Sequence, residues 1–291
     1  MSVAFIGVGT MGAPMAACIA RARHTLTLYD SVRERALQVG AEHGCRVADG
    51  FDGLAASDII VTMLPTGQIV RDLYLHEGLA QKLRRGAIAI DMSSSDPVGT
   101  RQLGAALATS GITLIDAPVS GGVSRAVQGT LTIMIGGDDP AAIDRVRPLL
   151  GAMGDRLFDT GGLGSGHAMK ALNNFVAAAG FAACAEALLA GQRFGLDPTR
   201  MVEILNVSTG RNFHTDLVLR EHVIGGKFAS GFQLGLLAKD VRIAADLADE
   251  LRLDAPLVHL VSERFASARD ALGYARDHTE AIKAWGKNNA V

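Results

Sequence analysis

Residues 3–30 run as a short apolar strand, a glycine-rich turn, a helix and a second strand that stops on an acid. Val3-Ala4-Phe5-Ile6 is an apolar run suited to a parallel strand buried on both faces. The turn is Gly7-Val8-Gly9-Thr10-Met11-Gly12, and the acid is Asp30. The first glycine permits the tight turn, the second lets a pyrophosphate approach the backbone, and the third lets the helix pack close to the strand. Unpaired N–H groups at the helix start then face the phosphates. A GxGxxG alone is weak evidence. One that follows a strand, opens a helix and has an acid about 20 residues on, at the end of a second strand, predicts dinucleotide binding. A carboxylate at Asp30 accepts the ribose hydroxyls of NAD and repels a 2′-phosphate, which predicts NAD over NADP. Arg33 and Arg35 lie just beyond and argue the other way unless they form a solvated helix face.

A chain of 291 residues exceeds one ordinary core and suits two domains. It is 48% hydrophobic, enough to bury a large interior. With one Trp and a net charge of −2 it has neither the aromatic platform nor the basic footprint of a nucleic-acid binder. Cys18, Cys45 and Cys184 are odd in number and widely spaced, which predicts a reducing compartment and no disulfide framework. The histidines form no HxxxH or HExxH pattern, so no metal site is expected. No charged-then-apolar leader precedes Val3, and the apolar run Phe175 to Ala190, broken by Gly180 and Glu186, reads as too short to span a bilayer. The expectation is a soluble, cytoplasmic protein with neither a membrane nor a nucleic acid as partner.

The first half alternates strand and helix. A helix is predicted over about 31–42, then a buried strand Asp58-Ile59-Ile60-Val61-Thr62-Met63-Leu64 closed by Pro65. A helix near 67–82 leads to strand Ala87-Ile88-Ala89-Ile90-Asp91, and Pro97 opens the next helix, where its missing N–H costs nothing. Ile112 to Asp116, Thr130 to Ile135 and Arg156 to Asp159 are further strands, with a helix from Pro140 to about 152. Repeated βα units predict an α/β fold, a Rossmann-type doubly wound parallel sheet over residues 1–162. From Gly164 the period changes. Residues 165–193 contain no proline and are alanine-rich, predicting one long helix. Helices at about 198–208, 213–223, 235–252 and 256–272 follow, and a last one ends near Trp285. Residues 163–291 therefore read as an all-α domain, expected to cover the carboxyl ends of the strands or to pack against another subunit.

Lys170 and Asn174 are four residues apart in the long helix and share one face. Mid-helix lysines are usually solvated. Here Ala168, Met169, Ala171, Leu172, Phe175 and Val176 surround the pair, and Asn173 adds a second amide. A polar cluster in a helix that buries most of its surface needs partners, and a substrate is one candidate.

Five segments together resemble the β-hydroxyacid dehydrogenase family: Gly7 to Gly12, Asp91-Met92-Ser93-Ser94, Asp116 to Gly122, Gly164-Ser165-Gly166 through Lys170 to Asn174, and Lys239-Asp240. They lie in the family's order and cover nearly the whole chain. The resemblance implies a second domain of the 6-phosphogluconate dehydrogenase kind, a small carboxylate substrate and a homodimer or homotetramer. It implies that Lys170 is the catalytic lysine, with Asn174 orienting substrate or lysine, and that Ser120, Gly121 and Gly122 hold the substrate carboxylate. Gly7, Gly9, Thr10, Met11, Gly12 and Asp30 would contact NAD, joined by Leu64, Pro65, Ser94 and Lys239. Each has a plainer reading: Leu64 and Pro65 as a strand end, Ser94 as a helix cap before Pro97, Ser120 as loop polarity.

The chain departs from the members specific for 3-hydroxyisobutyrate after the Ser-Thr-Gly-Arg segment, where Arg211 is followed by Asn212, Phe213 and His214. Tartronate semialdehyde, serine, threonate and sulfolactaldehyde therefore stay open beside 3-hydroxyisobutyrate. Arg125 or Arg211 would serve a sulfonate or second acid unless spent on a surface or inter-helix ion pair. A non-catalytic NAD(P)-binding interaction module would not need Lys170, Asn174 and the Ser120 loop together. An imine reductase on the same fold generally lacks the lysine.

Overall fold

The computed structural model describes residues 1–287, and the chain forms two compact units, Met1–Lys170 and a second beginning at Ala171. The strands of the first are β1 (Ser2–Ile6), β2 (Thr25–Tyr29), β3 (Arg46–Val47), β4 (Ile59–Thr62), β5 (Ile88–Asp91), β6 (Thr113–Asp116), β7 (Val119–Ser120), β8 (Leu131–Gly136) and β9 (Gly154–Gly161). Its helices are α1 (Gly12–Arg21), α2 (Arg33–His43), α3 (Gly67–Leu75), α4 (Leu79–Lys82), α5 (Pro97–Thr109), α6 (Gly122–Gln128) and α7 (Pro140–Gly151). The strands form one sheet in the order β3-β2-β1-β4-β5-β6-β8-β7, with β9 beside β8.

The apolar runs are buried on both faces because alternate side chains of a strand point opposite ways. Val3, Phe5, Ile59, Val61, Ile88 and Ile90 join one core cluster. Ala4, Ile6, Ile60 and Ala89, their neighbours in sequence, join the other with Tyr74 and Leu114. Each large apolar side chain so enclosed contributes about 1.5–3 kcal/mol. β1 to β6 are mutually parallel, as expected. The sheet is not parallel throughout. β8 runs antiparallel to β6 and to the two-residue β7, in register Ser120 to Thr132. The connection from β6 to β8 turns back through β7 and α6, and a chain that returns this way pairs antiparallel.

The single helix expected over 67–82 is two, because Gly78 between them is left-handed at φ +86°. Aspartates cap three helices that begin with proline: Asp96 before Pro97, Asp139 before Pro140 and Asp197 before Pro198 each accept a first-turn N–H. The carboxylate and the fixed proline φ act together there.

The second unit is helical: α8 (Ser165–Phe194, which starts within the first unit), α9 (Pro198–Asn206), α10 (Leu234–Glu250), α11 (Pro256–Leu272) and α12 (Ala281–Lys287). Between α9 and α10 the expected ordinary helix is instead a π-helical segment, His214–Ile224. Eleven residues of apolar spacing do not separate the two windings. α8 runs over the span expected for one long helix, 165–193, and carries Gly180 and Glu186 within it. By length and composition alone it could cross a membrane. Its Ala178, Phe181, Ala182, Ala185 and Leu188 are instead buried in the second unit's core with Leu219, Val241 and Phe265.

His278 lies in this core, edge-on to Phe181 and close to His214 and Asp277. Burial pushes its pKa down from 6.5 to about 4; Asp277 opposes this, while His214 and His222 add to it. The ring is therefore folded in neutral. Its contribution is complete above the unfolded value and is lost as pH falls from about 6.5 toward about 4, a swing on the order of 3 kcal/mol. Denaturant melts at pH 7 and pH 5 should show His278→Gln narrowing the difference between them. An equal difference in both proteins would remove His278 as its source.

Candidate functional site

At the amino end of the sheet's first crossover, Gly7 is left-handed at φ +93°, and its N–H donates to the Tyr29 carbonyl. A Cβ there would meet the Met63 carbonyl and stand 2.8 Å from the Leu64 side chain. A Cβ at Gly12 would overlap the Gly7 carbonyl oxygen, so α1 rests directly on the turn. Gly9 differs: nothing lies within 4 Å of its Cβ position. The backbone there is open to an incoming group, Thr10 is exposed and Met11 half-buried. No side chain caps α1 and its first turn holds no acid. An uncapped helix start beside an open glycine suits a pyrophosphate.

Asp30 anchors this turn. Its Oδ2 accepts Val8 N–H at 2.9 Å and its Oδ1 accepts Val32 N–H at 2.8 Å. Each carboxylate oxygen retains capacity for a second donor, so a ribose hydroxyl remains compatible. Arg33 is spent on Asp49 at 2.6 Å, and Arg35 stands 4.0 Å from Asp30.

Leu64 packs over Gly7, and its N–H donates to Ser93 Oγ at 2.9 Å. Pro65 is exposed beyond it. Ser94 is not the helix cap, since Asp96 takes that place on α5. Ser120 ends β7, half-buried and held in register by Thr132. Gly121 and Gly122 follow at φ +133° and +67°, exposed, with their N–H groups turned by a conformation other residues rarely adopt. The Arg125 stem lies across Gly121, its Cδ 2.6 Å from where a Cβ would stand.

Lys170 is half-buried on α8. The start of that helix is seated by Asp116, a buried acid at the end of β6. Asp116 Oδ1 accepts Gly164 N–H at 2.7 Å, and Oδ2 accepts His167 N–H at 2.8 Å. Asp91 accepts from Thr62 Oγ1, Ser93 N–H and Ser95 Oγ. The role of Asp116 is not visible in the segment that contains it, because its partners lie 48 and 51 residues away in sequence.

In the second unit Asn174 is buried and donates to Asp240 Oδ2 at 2.6 Å, while its Oδ1 accepts from Asn173. Lys239 Nζ stands 3.0 Å from Asp240 Oδ1, within ion-pair range though not aligned as a hydrogen bond. Asp240 thus joins Lys239 to Asn174, a link the sequence reasoning missed. Arg211 is committed to Asp216 at 2.9 Å.

Residues 2–162 match the NAD binding domain of 6-phosphogluconate dehydrogenase, and residues 164–285 match the NAD-binding family of NADP-dependent 3-hydroxyisobutyrate dehydrogenase. The chain is 33% identical to the 2-(hydroxymethyl)glutarate dehydrogenase of Eubacterium barkeri, covering 100% of this chain and 97% of that one. It is 34% identical to the 2-hydroxy-3-oxopropionate reductase of Escherichia coli, covering 98% and 97%. Among solved structures it resembles the Mycobacterium tuberculosis 3-hydroxyisobutyrate dehydrogenase with L-serine, at a TM-score of 0.89, 31% identity and 98% coverage of both chains.

Proposed function

The chain belongs to the β-hydroxyacid dehydrogenase family, and on that premise we propose that it passes hydride between NAD and a small β-hydroxy acid and its semialdehyde, with Lys170 moving the proton. The observation that carries the reading is the open backbone at Gly9 beside an uncapped α1, with Asp30 bonded into the same turn.

Gly7, Gly9, Thr10, Met11, Gly12 and Asp30 would hold the dinucleotide, with Leu64, Pro65, Ser94 and Lys239 as further contacts. NAD, when bound, supplies the acceptor for the hydride that leaves the carbinol carbon. Ser120 Oγ–H and the N–H groups of Gly121 and Gly122 bind the carboxylate, fixing the carbon that bears the hydroxyl. Lys170, neutral, takes the hydroxyl proton in oxidation; charged, it returns one to the carbonyl oxygen in reduction. Asn174, itself held by Asp240, orients the lysine or the substrate. Placement rather than a covalent intermediate supplies much of the rate. Residues 1–162 would act as the dinucleotide domain and 163–291 as the substrate and subunit domain. Exposed Phe194, Val207, Phe213 and Leu217 suit that domain to a homodimer or homotetramer. The compartment proposed is the cytoplasm.

A substrate with a second acidic group is the alternative favoured by a specific observation. The Arg125 stem crosses Gly121, whereas Arg211 is paired elsewhere. The deciding assay follows absorbance at 340 nm with NAD and NADP in parallel. Its panel is 3-hydroxyisobutyrate, serine, threonate, 2-(hydroxymethyl)glutarate and, in reduction, tartronate semialdehyde and sulfolactaldehyde. Turnover of at least one acid with a higher kcat/KM for NAD is expected. No turnover with any would leave a non-catalytic binder, and a preference for NADP would show that Asp30 does not select the cofactor.

Ser120→Ala should raise the substrate KM about tenfold or more, since a hydroxyl to a carboxylate contributes about 1.5–3 kcal/mol. Affinity for NAD should stay within twofold. The opposite pattern would move Ser120 out of the substrate site.

A further inference from the structure

His167 is the one fully buried histidine among the described residues of the first unit, its side chain 0% exposed. Its Nδ1 lies 2.8 Å from Thr100 Oγ1 on α5. Thr100 gives its single hydroxyl proton to the Asp96 carbonyl, also at 2.8 Å. The threonine oxygen can therefore only accept from the ring, which places a proton on Nδ1. Nε2 has no hydrogen-bond partner and faces Asp91 Oδ2 at 3.7 Å. The backbone N–H of the same residue donates to Asp116. One residue thus fastens the first turn of α8 to the end of β6 and to α5, with its free edge toward β5.

The glycines around it leave that turn no room to slide. A Cβ at Gly166 would overlap the Met134 carbonyl and stand 2.9 Å from Asp116 Oδ2. Gly164 is left-handed at φ +88°. Lys170 comes three residues after His167, one turn up the same helix. A lysine amine reaches its target from a point set by the rotation of that turn, and a misplacement of about 1 Å can cost on the order of 100-fold in rate.

We propose that His167 is a positioning residue for Lys170: its Nδ1–H bond to Thr100 fixes the rotation of the first turn of α8 and so the reach of the amine. This rests on the reading of Lys170 as the group that moves the proton. The bond has one direction and one length, which a packed apolar side chain of similar size would not supply. Asparagine places an amide donor where Nδ1 stands; leucine fills space without one.

The test compares His167→Leu, His167→Asn and Thr100→Val with the wild type and Lys170→Ala. His167→Leu and Thr100→Val should each lose about tenfold or more in kcat, with substrate KM and NAD affinity within twofold. His167→Asn should recover kcat to within about threefold of wild type, and the His167→Leu/Thr100→Val pair should lose no more than either alone. Amide exchange over residues 165–170 should quicken in His167→Leu and not in His167→Asn. Unchanged kcat in His167→Leu, an asparagine variant as slow as the leucine one, or additive losses would overturn the proposal. Should the leucine variant not fold, Thr100→Val decides alone. If Lys170→Ala is dead while His167→Leu is fully active, only this inference fails. If Lys170→Ala keeps its turnover, the reading of Lys170 fails, and His167 no longer positions a reacting group whatever the exchange rates show.

Discussion

Replacing Lys170 with alanine is expected to remove most of kcat while NAD still binds. Proton transfer by a placed side chain is worth a factor of about 10²–10⁴, and the lysine also stabilises charge on the oxygen that gains or loses the proton. The glycine turn and Asp30, which carry the dinucleotide in this reading, are joined to each other by the Val8–Asp30 bond and do not depend on the lysine. Lys170→Arg should fail almost as badly, because a guanidinium keeps its proton throughout the working pH range. Fluorescence titration of NAD into the alanine variant, alongside turnover, separates the two roles. Near-normal turnover would sink the mechanism; lost NAD binding would mean that Lys170 holds the cofactor instead.

The sequence makes legible those features that local chemistry determines. The unbroken apolar runs Val3 to Ile6 and Ile59 to Val61 mark strands buried on two faces, and the structure divides those residues between the two core clusters accordingly. The prolines at 97, 140 and 198 mark helix starts, and an aspartate before each completes the cap. The glycine turn is legible because each glycine answers a separate steric demand. Features that depend on a distant partner are not legible. Nothing near Asp116 announces that it takes the N–H groups of Gly164 and His167. Asp240 stands beside Lys239 in sequence, but its bond to Asn174 spans 66 residues. The reversal of β8 and the π winding after Phe213 are likewise settled by packing, since the residues themselves suit either arrangement. Motif resemblance pointed to the Lys170 and Lys239-Asp240 segments without saying what holds their side chains.

Gly12→Ala tests the other half of the site and should be the converse of the lysine variant. Its methyl would overlap the Gly7 carbonyl oxygen, stand 2.9 Å from the Gly7 carbonyl carbon and approach Phe5 to 3.2 Å. Two of those three contacts are backbone, so no rotamer change relieves them and α1 must lift from β1. Overpacking of this kind costs about 1–3 kcal/mol. The same displacement carries the helix-start N–H groups away from the phosphates, so NAD affinity should fall about 10- to 100-fold together with Tm. Gly9→Ala is the control that separates binding from folding. Its methyl meets nothing within 4 Å, and the glycine is not left-handed, so Tm should hold. Affinity should still drop, because the methyl occupies the space through which the pyrophosphate approaches. Thermal melts and NAD titrations on both variants read the four outcomes. A Gly9→Ala protein that binds NAD as well as the wild type would remove the dinucleotide from this turn, and the proposed chemistry at Lys170 would lose its hydride acceptor.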